Sequence, residues 1–421
     1  MILAGGRVDE LSVLTQYRPK SAVPFGGLYR VIDFPLSNLM NSGIENAGIL
    51  SQYRSFSLIN HLGNGSSWEM VGRDRGVTIL PPFTAHALSN WYRGSADAVF
   101  QNLEFIRLHD PELVLVLSGD HIYSMNYGPL LNFHRETGAD LTMGFIKVQK
   151  EQAQRFGVGR IAGDHSLGGK LLDYREKPES WAEQETWASL TIYVFSPRVL
   201  FEVLRKHAEK APASYEFGKD IIPAMLDDYN VFAYKYEGYW GYTRTIDEYW
   251  QTSMDLLGEN PKIDPEKWCV RTNLEHNSIR DRIPALVGSS AQIENSRIYS
   301  GCRVEGSVKN SILFPGVEVG PDTLVEDSIL MFDTQVKSGA KLHKVITDTH
   351  AVIGADCRIG KGDSAIPNEE FPHLLTGGIT LIGQHAHVPD KRRIGTNCIV
   401  HPDLAESHFW EMEYESGLSI R

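Results

Sequence analysis

The 421-residue sequence predicts an α/β domain with a mostly parallel sheet, followed by a C-terminal β-solenoid. Two observations predict this pair of folds. The run 113–117 is apolar at every position, which is typical of a strand buried on both faces of a parallel sheet. Past about residue 285, short apolar positions alternate with Gly, Asn, Asp and Ser, which is typical of stacked solenoid coils.

The solenoid prediction depends on a recurring dipeptide. Asn295-Ser296, Asn310-Ser311 and Asp327-Ser328 place their serines 15 and 17 residues apart, and glycines punctuate the series. Each coil of a solenoid buries its apolar face only by stacking on the next coil. An immunoglobulin-like sandwich is the alternative, but it would show fewer glycines and longer strands.

Composition excludes several classes of function. The formal net charge of −12 argues against a general nucleic-acid binder and does not indicate binding to an anionic membrane. The four cysteines have no CxxC pairing or metal-ligand spacing. No apolar run reaches membrane-spanning length, and no basic-then-apolar leader opens the chain. We therefore expect a reduced, cytoplasmic protein without nucleic-acid or membrane partners.

The N-terminal elements alternate between strand and helix. Residues 1–6 predict a short strand that runs into a Gly-Gly turn, and 32–43 predict a helix with Pro35 near its start. A strand at 47–51 and long loops over 55–90 should follow. A helix opening at 91–99 then precedes the strand 113–117, and later strands are predicted at 141–145, 171–178 and 188–195. This order favours parallel pairing with right-handed crossovers.

The end of the strand 113–117 is the first candidate site. Gly119 would let a ligand approach the backbone, and Asp120 would offer a carboxylate at the edge of the sheet where ligands bind. Mg²⁺ favours one or two carboxylates together with phosphate oxygens. Gly5-Gly6 would present bare N–H groups to phosphates, and Lys20 could reach one. The alternatives are a strand-to-loop turn with a capping Asp, a plain glycine turn and a solvated basic loop.

Together these stretches resemble the ADP-glucose pyrophosphorylase (glucose-1-phosphate adenylyltransferase) family over nearly the full length. The motifs that carry the resemblance occur in order at 3–6, 20–27, 29–34, 92–98, 119–123, 156–158, 176–178 and 217–223, followed by the solenoid tail. The resemblance implies a nucleotidyltransferase domain over 1–255, a linker over 256–284 and a left-handed parallel β-helix over 285–421. It also implies attack of a sugar 1-phosphate oxygen on the α-phosphorus of ATP, with Mg²⁺ bound and pyrophosphate leaving.

The resemblance implies a role for each matching residue. Lys20 and Asp120 would be catalytic, and Asp120 would also hold the metal. The nucleotide would contact Leu3, Ala4, Gly5, Gly6, Gly94, Asp97 and Gly119, and the sugar phosphate would contact Tyr92, Gly157, Glu176, Lys177 and Ser189. Anionic effectors would bind basic residues, for which Arg18, Arg30 and Arg393 are the candidates; solvated surface cations are the alternative.

The departures from the family pattern fall on the chemistry. The family's opening loop reads Gly-Gly-x-Gly-x-Arg, and here its third glycine is Val8 and its arginine is Glu10. The family's second metal carboxylate and the glycine two residues later are replaced by Tyr242 and Arg244, and the base-reading glutamine by Phe83. Asp247 and Glu248 are nearby but out of the motif's place. Removing one preorganised group that stabilises transition-state charge costs roughly 10²- to 10³-fold in rate.

Two functions therefore stay open. One is an active glucose-1-phosphate adenylyltransferase of glycogen- or starch-type synthesis. The other is a catalytically impaired regulatory subunit that binds sugar phosphates in a mixed oligomer with an active paralogous chain. Because a solenoid has open ends, and because the family forms tetramers, we expect a homotetramer or heterotetramer. A β-helix acyltransferase is a weaker alternative, since the repeats show no well-placed catalytic histidine.

Overall fold

The computed structural model describes residues 1–6, 9–82, 91–163, 166–181, 183, 185–210 and 214–421. These residues form two compact units. The first unit contains 1–6, 35–55 and 64–239, and the second contains 7–34, 56–63 and 240–421. Two N-terminal segments thus belong with the C-terminal half, which the predicted limits of 1–255 and 285–421 do not anticipate. Hydrogen bonds explain the grouping: the Tyr249 hydroxyl donates to the Pro24 carbonyl, and the Tyr299 hydroxyl donates to the Gly26 carbonyl.

A nine-stranded sheet forms the centre of the first unit. Its strands lie in the order Gly76–Leu80, Asn46–Leu50, Ile2–Leu3, Val114–Ser118, Thr186–Phe195, Leu141–Val148, Val231–Tyr236, Gly168–Glu176 and Gly157–Ile161. The first four of these strands are mutually parallel, as predicted. Thr186–Phe195 is antiparallel to both of its main neighbours, so the sheet is mixed beyond that point.

Helices flank this sheet and share its core. They are Asp33–Asn41, Ser95–Gln101, Leu103–His109, Gly128–Thr137, Pro197–Glu209 and Ile222–Met225, with 3-10 turns at Ser66–Trp68 and Lys150–Arg155 and a π turn at Phe217–Ile221. The core includes Val116, Met143, Phe195 and Phe217, all almost fully buried. The expectation of long loops over 55–90 is wrong in its described part, which contains the strand Gly76–Leu80 and, in the second unit, the helix Phe56–Leu62.

The second unit contains the predicted left-handed parallel β-helix. Its three parallel sheets each stack one short strand per coil. The first sheet runs from Leu286–Val287 through Arg303–Val304, Glu318–Val319, Gln335–Val336 and Val352–Ile353 to His387–Val388. The second runs from Gln292–Glu294 through Ser307–Lys309, Leu324–Glu326, Lys341–His343, Arg358–Ile359 and Arg393–Ile394 to Glu413–Tyr414. The third runs from Arg297–Ile298 through Ile312–Leu313, Ile329–Leu330, Val345–Thr347, Thr380–Ile382 and Ile399–Val400 to Ser419–Ile420.

The serines that predicted the coils link them. The backbone N–H of Ser311 donates to the Ser296 hydroxyl at 3.1 Å, and that of Ser328 donates to the Ser311 hydroxyl at 3.0 Å. The N–H of Val345 continues the ladder on the Ser328 hydroxyl. Each serine follows a residue in the left-handed region, such as Asn310 at φ 46°, which asparagine and aspartate adopt more readily than most residues.

The remaining elements of the second unit are short. They are the helix Ile246–Met254, the 3-10 turns Asp9–Thr15, Lys20–Ala22, His276–Asp281 and Glu406–His408, the hairpin of Pro24–Phe25 with Tyr29–Arg30, and the strand Trp240–Tyr242; the first unit adds the strand His121–Tyr123. Within the described residues no helix has the length and apolar character that crossing a membrane requires.

Candidate active site

The strand ends of the first unit bring the predicted phosphate-binding residues together. Leu3 lies opposite Ser118 in the parallel ladder, and the Gly119 N–H donates to the Leu3 carbonyl at 2.9 Å. Ala4 donates through its N–H to the Leu50 carbonyl. A methyl group added at Gly5 would lie 2.5 Å from the Gln52 nitrogen, whereas Gly6 faces open space. The topology therefore places these segments at one edge of the sheet.

Asp120 stands at that same edge. The Ser118 hydroxyl donates to its Oδ1, and Nε2 of His121 lies 3.4 Å from the same oxygen. The carboxylate is 30% exposed. Among the described residues no group of three His, Cys, Asp or Glu side chains has the arrangement of a metal site. One partly exposed carboxylate suits an Mg²⁺ ion that arrives with phosphate ligands rather than an all-protein metal cage.

Glu176 forms the centre of the predicted sugar side. It ends the strand Gly168–Glu176 and lies opposite Gly157 in the antiparallel ladder. The Tyr174 hydroxyl donates to Glu176 Oε2 at 2.8 Å. A methyl group added at Gly157 would lie 1.9 Å from that hydroxyl and 2.7 Å from Oε2, so glycine is required here. Glu176 is partly buried and forms no ion pair with a described cation, which leaves it suited to neutral hydrogen-bond donors.

Lys177 and Ser189 are held near this carboxylate by unusual backbone. Lys177 is exposed and adopts φ 46°, and its N–H donates to the Phe156 carbonyl. Ser189 is buried. Directly after it, the pairing of its strand with the strand Leu141–Val148 shifts register, and Thr191 adopts φ 52°. Residues with positive φ and bulged strands cluster at functional sites because they re-aim side chains at a cost in strain.

Tyr92 and Asp97 are engaged in internal contacts. The Tyr92 hydroxyl donates to the Leu80 carbonyl at 2.8 Å, and the buried Asp97 accepts hydrogen bonds from Arg93 and Gln101. Gly94 packs so closely that an added methyl group would lie 2.3 Å from the Tyr215 carbonyl oxygen. Their predicted ligand contacts stay predictions, and their described role is to shape the segment that carries the first turn of the helix Ser95–Gln101.

In the second unit the altered family positions form one network with Lys20. Nε of Arg244 donates a hydrogen bond to Oε1 of Glu10, and Nη2 of Arg244 lies 2.7 Å from the same oxygen. Its Nη1 lies 3.4 Å from the Tyr242 hydroxyl, and the ammonium of the buried Lys20 lies 5.3 Å from the centre of the Tyr242 ring. The three departures are therefore one structural feature, because the carboxylate at 10 pairs with the cation at 244.

The two neighbouring carboxylates, Asp247 and Glu248, are engaged in contacts of their own. Glu248 accepts hydrogen bonds from the N–H groups of Thr245 and Arg244, and the Thr245 hydroxyl accepts from the Glu248 N–H, which is a capping box at the start of the helix Ile246–Met254. Burial raises the pKa of Asp247, whose side chain packs against Gly377. The other two departures, Val8 and Phe83, lie outside the described residues.

The effector candidates have different environments. Arg18 is buried and donates to Asp348 at 2.8 Å and to Gln384 at 2.9 Å. Arg30 is also buried, where it donates to the Ala22 carbonyl, and burial lowers its pKa to about 9. Arg393 is exposed and lies 3.8 Å from Glu413. Two of the three are thus internal cations of the second unit rather than solvated ones, and their effector role stays a prediction.

Sequence reasoning missed three residues that pack around the predicted site residues. Tyr174 holds Glu176, Gly218 closes over the same carboxylate, and Glu216 accepts from the Ser95 N–H and hydroxyl. The Ser95 hydroxyl in turn accepts from the Phe217 N–H. Tyr174 was detectable, since it lies two residues before Glu176 and shares its face of the strand. The contact between Ser95 and Glu216 was not, because 121 residues separate them.

Comparison with known proteins agrees with this architecture. The family model described as Nucleotidyl transferase matches residues 1–259, and the model described as GlmU-like, C-terminal hexapeptide matches 284–382. The chain is 39% identical to a glucose-1-phosphate adenylyltransferase of Acetivibrio thermocellus, over 100% of this chain and 96% of that protein.

Similar relatives occur in other bacteria. A Clostridium botulinum protein of the same name is 44% identical over 86% of this chain and 92% of its own, and one from Thermotoga neapolitana is 40% identical over 99% and 97%. Identity at this level over almost the whole length of both chains is accompanied here by both expected domains. The chain therefore belongs to the glucose-1-phosphate adenylyltransferase family of nucleotidyl transferases.

Proposed function

We propose that the protein acts in adenylyl transfer between ATP and glucose 1-phosphate, the reaction that yields ADP-glucose and pyrophosphate for glycogen-type synthesis. The observation that carries the proposal is the sugar side of the first unit. There a held carboxylate, Glu176, is followed directly by the exposed cation of Lys177. A sugar 1-phosphate offers the matching groups, since its hydroxyls can donate to Glu176 and its phosphate can pair with Lys177.

The remaining roles follow the chemistry of phosphoryl transfer. An oxygen of the sugar phosphate attacks the α-phosphorus of ATP, and the bond to pyrophosphate breaks. Such a reaction needs positioning and charge neutralisation rather than covalent work by the protein. The backbone at Gly5 and Gly119 would position the phosphates, and Lys20 would neutralise charge near the transferred group. Asp120 would hold Mg²⁺, which when bound adds positive charge to the phosphates.

A second function is favoured by the network around Arg244. Glu10 places a carboxylate where the family carries the cation for the leaving pyrophosphate, and Tyr242 replaces the second metal carboxylate. Glu248 is used for capping and supplies neither group. These contacts bear on catalytic competence alone, and we propose as the second candidate a catalytically impaired regulatory subunit that binds glucose 1-phosphate in a mixed oligomer with an active paralogous chain.

The proposal extends to assembly, regulation and compartment. The first coil of the β-helix exposes Leu286, Val287 and Ile293, apolar side chains that contact with another subunit would bury. We therefore propose a homotetramer or heterotetramer in the cytoplasm. Arg18, Arg30 and Arg393 are the proposed contacts for an anionic effector.

Calorimetry and a steady-state assay on the purified full chain test the proposal. Glucose 1-phosphate should bind, and Lys177→Ala should weaken it by about ten-fold or more, because a charge-assisted phosphate contact is worth roughly 1.5–3 kcal/mol. Arg198→Ala, which removes an exposed cation from the helix Pro197–Glu209, is the matched control and should leave binding unchanged.

Turnover distinguishes the two functions. Activity of the chain alone near an ordinary rate of roughly 10 per second would support the enzyme. Binding of glucose 1-phosphate without turnover, together with a changed activity of the co-purified paralogous chain, would support the regulatory subunit. Absence of glucose 1-phosphate binding would contradict both.

A further inference from the structure

The feature of interest is the pair formed by Tyr174 and Glu176. Both side chains project from the same face of the strand Gly168–Glu176, because residues two apart in a strand share a face. The Tyr174 hydroxyl donates to Oε2 of Glu176 at 2.8 Å. Tyr174 is buried, whereas Glu176 is partly exposed. The pair therefore joins the core of the unit to the predicted sugar side.

Two glycines enclose the bonded atoms. A methyl group added at Gly218 would lie 2.3 Å from Glu176 Oε2 and 3.1 Å from the Tyr174 hydroxyl. A methyl group at Gly157 would lie 1.9 Å from the same hydroxyl. Backbone from two separate segments thus packs against the hydrogen bond. This enclosure leaves Oε2 little room to turn away from the tyrosine.

The two carboxylate oxygens therefore differ. Burial, with the charge of Glu176 and the contact to it, raises the pKa of Tyr174 well above its ordinary value, so the hydroxyl is a permanent donor at neutral pH. Oε1 accepts no hydrogen bond from any described residue, and no described Lys, Arg or His forms an ion pair with Glu176. A fixed carboxylate with one open oxygen and no ion-pair partner among the described residues is suited to accept hydrogen bonds from hydroxyl groups.

We propose that Tyr174 is a positioning residue that sets the sugar selectivity of the site by orienting Glu176 Oε1 toward hydroxyl groups of a hexose 1-phosphate. This inference rests on the proposed function, since it assigns the sugar ring to Glu176 and the phosphate to Lys177. A polar group held in one orientation discriminates between epimers because the wrong hydroxyl leaves it unpaired. Without its tyrosine the carboxylate can rotate, and both affinity and discrimination should fall.

Calorimetry with three probes tests the inference on the full chain: glucose 1-phosphate, galactose 1-phosphate and inorganic phosphate. Tyr174→Phe should weaken glucose 1-phosphate by roughly ten-fold and reduce its preference over galactose 1-phosphate by a similar factor. Inorganic phosphate should bind as before, because Lys177 is untouched. A residue with a merely structural role would change all three affinities together.

Two further variants complete the design. Tyr236→Phe is the matched control, because this buried hydroxyl of the same unit donates to the backbone carbonyls of Ser124 and Tyr239; it should change none of the affinities. Gly218→Ala should reproduce the effect of Tyr174→Phe, because its methyl group displaces Oε2.

The outcomes separate this inference from the proposed function. If Tyr174→Phe leaves the affinity and selectivity for glucose 1-phosphate unchanged, the inference is wrong and the proposed function still stands. The same holds if Tyr174→Phe lowers the affinity for all three probes by the same factor. If the wild-type chain prefers galactose 1-phosphate, the proposed function is wrong, and the same comparison on that sugar still decides the role of Tyr174. Failure of the wild-type chain to bind either hexose 1-phosphate would overturn both.

Discussion

Arg244 contacts a single oxygen of Glu10 through two nitrogens, with Nε at 2.9 Å and Nη2 at 2.7 Å from Oε1. The residues are 234 positions apart, and the family pattern has arginine at the first position and glycine at the second. The chain therefore keeps a cation in this region but places it on the other segment, bound to a carboxylate. A single reversal of either residue would break a pair rather than restore a function.

Exchanging the two charges tests the pair. Glu10→Arg alone sets two guanidinium groups side by side and should lower the free energy of unfolding by about 1 kcal/mol, as expected for a partly exposed pair. Glu10→Arg with Arg244→Glu should recover most of that loss. Urea denaturation of both variants and the wild type gives the comparison, and a double variant no more stable than the single would show that the pair contributes nothing.

Acidification tests the same contact without a second variant. Partial burial by itself would raise the pKa of Glu10, but the hydrogen bond and charge of Arg244, helped by Lys20, hold it below 4.5. A lowered pKa stabilises the fold above pH 4.5, and the contribution disappears as the pH falls through the folded-state pKa. The stability difference between wild type and Glu10→Gln should therefore be constant near neutrality and shrink below pH 4.5; a difference independent of pH would argue against the contact.

Restoring the family groups together should change catalysis. Glu10→Arg, Tyr242→Asp and Arg244→Gly supply the leaving-group cation and second carboxylate and remove the competing cation. The triple variant should gain adenylyltransferase activity by orders of magnitude, and more than the product of the single effects, because such groups act as a unit. The control is the double variant without Tyr242→Asp, and an unmodified chain already as active as the triple variant would refute this interpretation.

The buried pair of Arg18 and Asp348 should matter more for stability than an exposed one. Their side chains are 6% and 1% exposed, so Asp348→Ala leaves a charge unpaired in the interior and should cost about 3–5 kcal/mol. Glu413→Ala, which removes the exposed partner of Arg393, should change the unfolding free energy by less than about 0.5 kcal/mol. Equal effects in denaturant titrations would contradict the burial of Arg18.

The serine ladder of the β-helix offers a graded test. Ser311 and Ser328 are fully buried and each accepts a backbone N–H from the next coil, so replacement by alanine leaves that N–H without its acceptor. Each change should cost roughly 1–3 kcal/mol. Ser296→Ala, at the partly exposed end of the ladder, should lower the free energy of unfolding by less, because water can reach the freed N–H group. A larger loss at Ser296 than at Ser328 would be inconsistent with the ladder.

What the sequence predicted depended on local pattern. The apolar run before Asp120 and the glycines at 5 and 119 predicted which residues meet at one edge of the sheet, because parallel topology itself brings strand ends together. The dipeptides ending in Ser311 and Ser328 predicted the coils, since stacking requires a regular repeat. The pairing of Glu10 with Arg244 and of Arg18 with Asp348 was not predictable, because no periodicity links side chains hundreds of residues apart.

The grouping of Arg18 with Asp348 has a consequence for biosynthesis. The two residues are 330 positions apart, and translation proceeds at about 5–20 residues per second, so the N-terminal segment waits roughly 15–70 s for its partner to leave the ribosome. During that interval the guanidinium of Arg18 remains hydrated and its loop unanchored, while the first unit can already fold. Anchoring of the Arg18 loop therefore has to follow synthesis of residue 348, and a chain halted before that point should keep this loop unanchored.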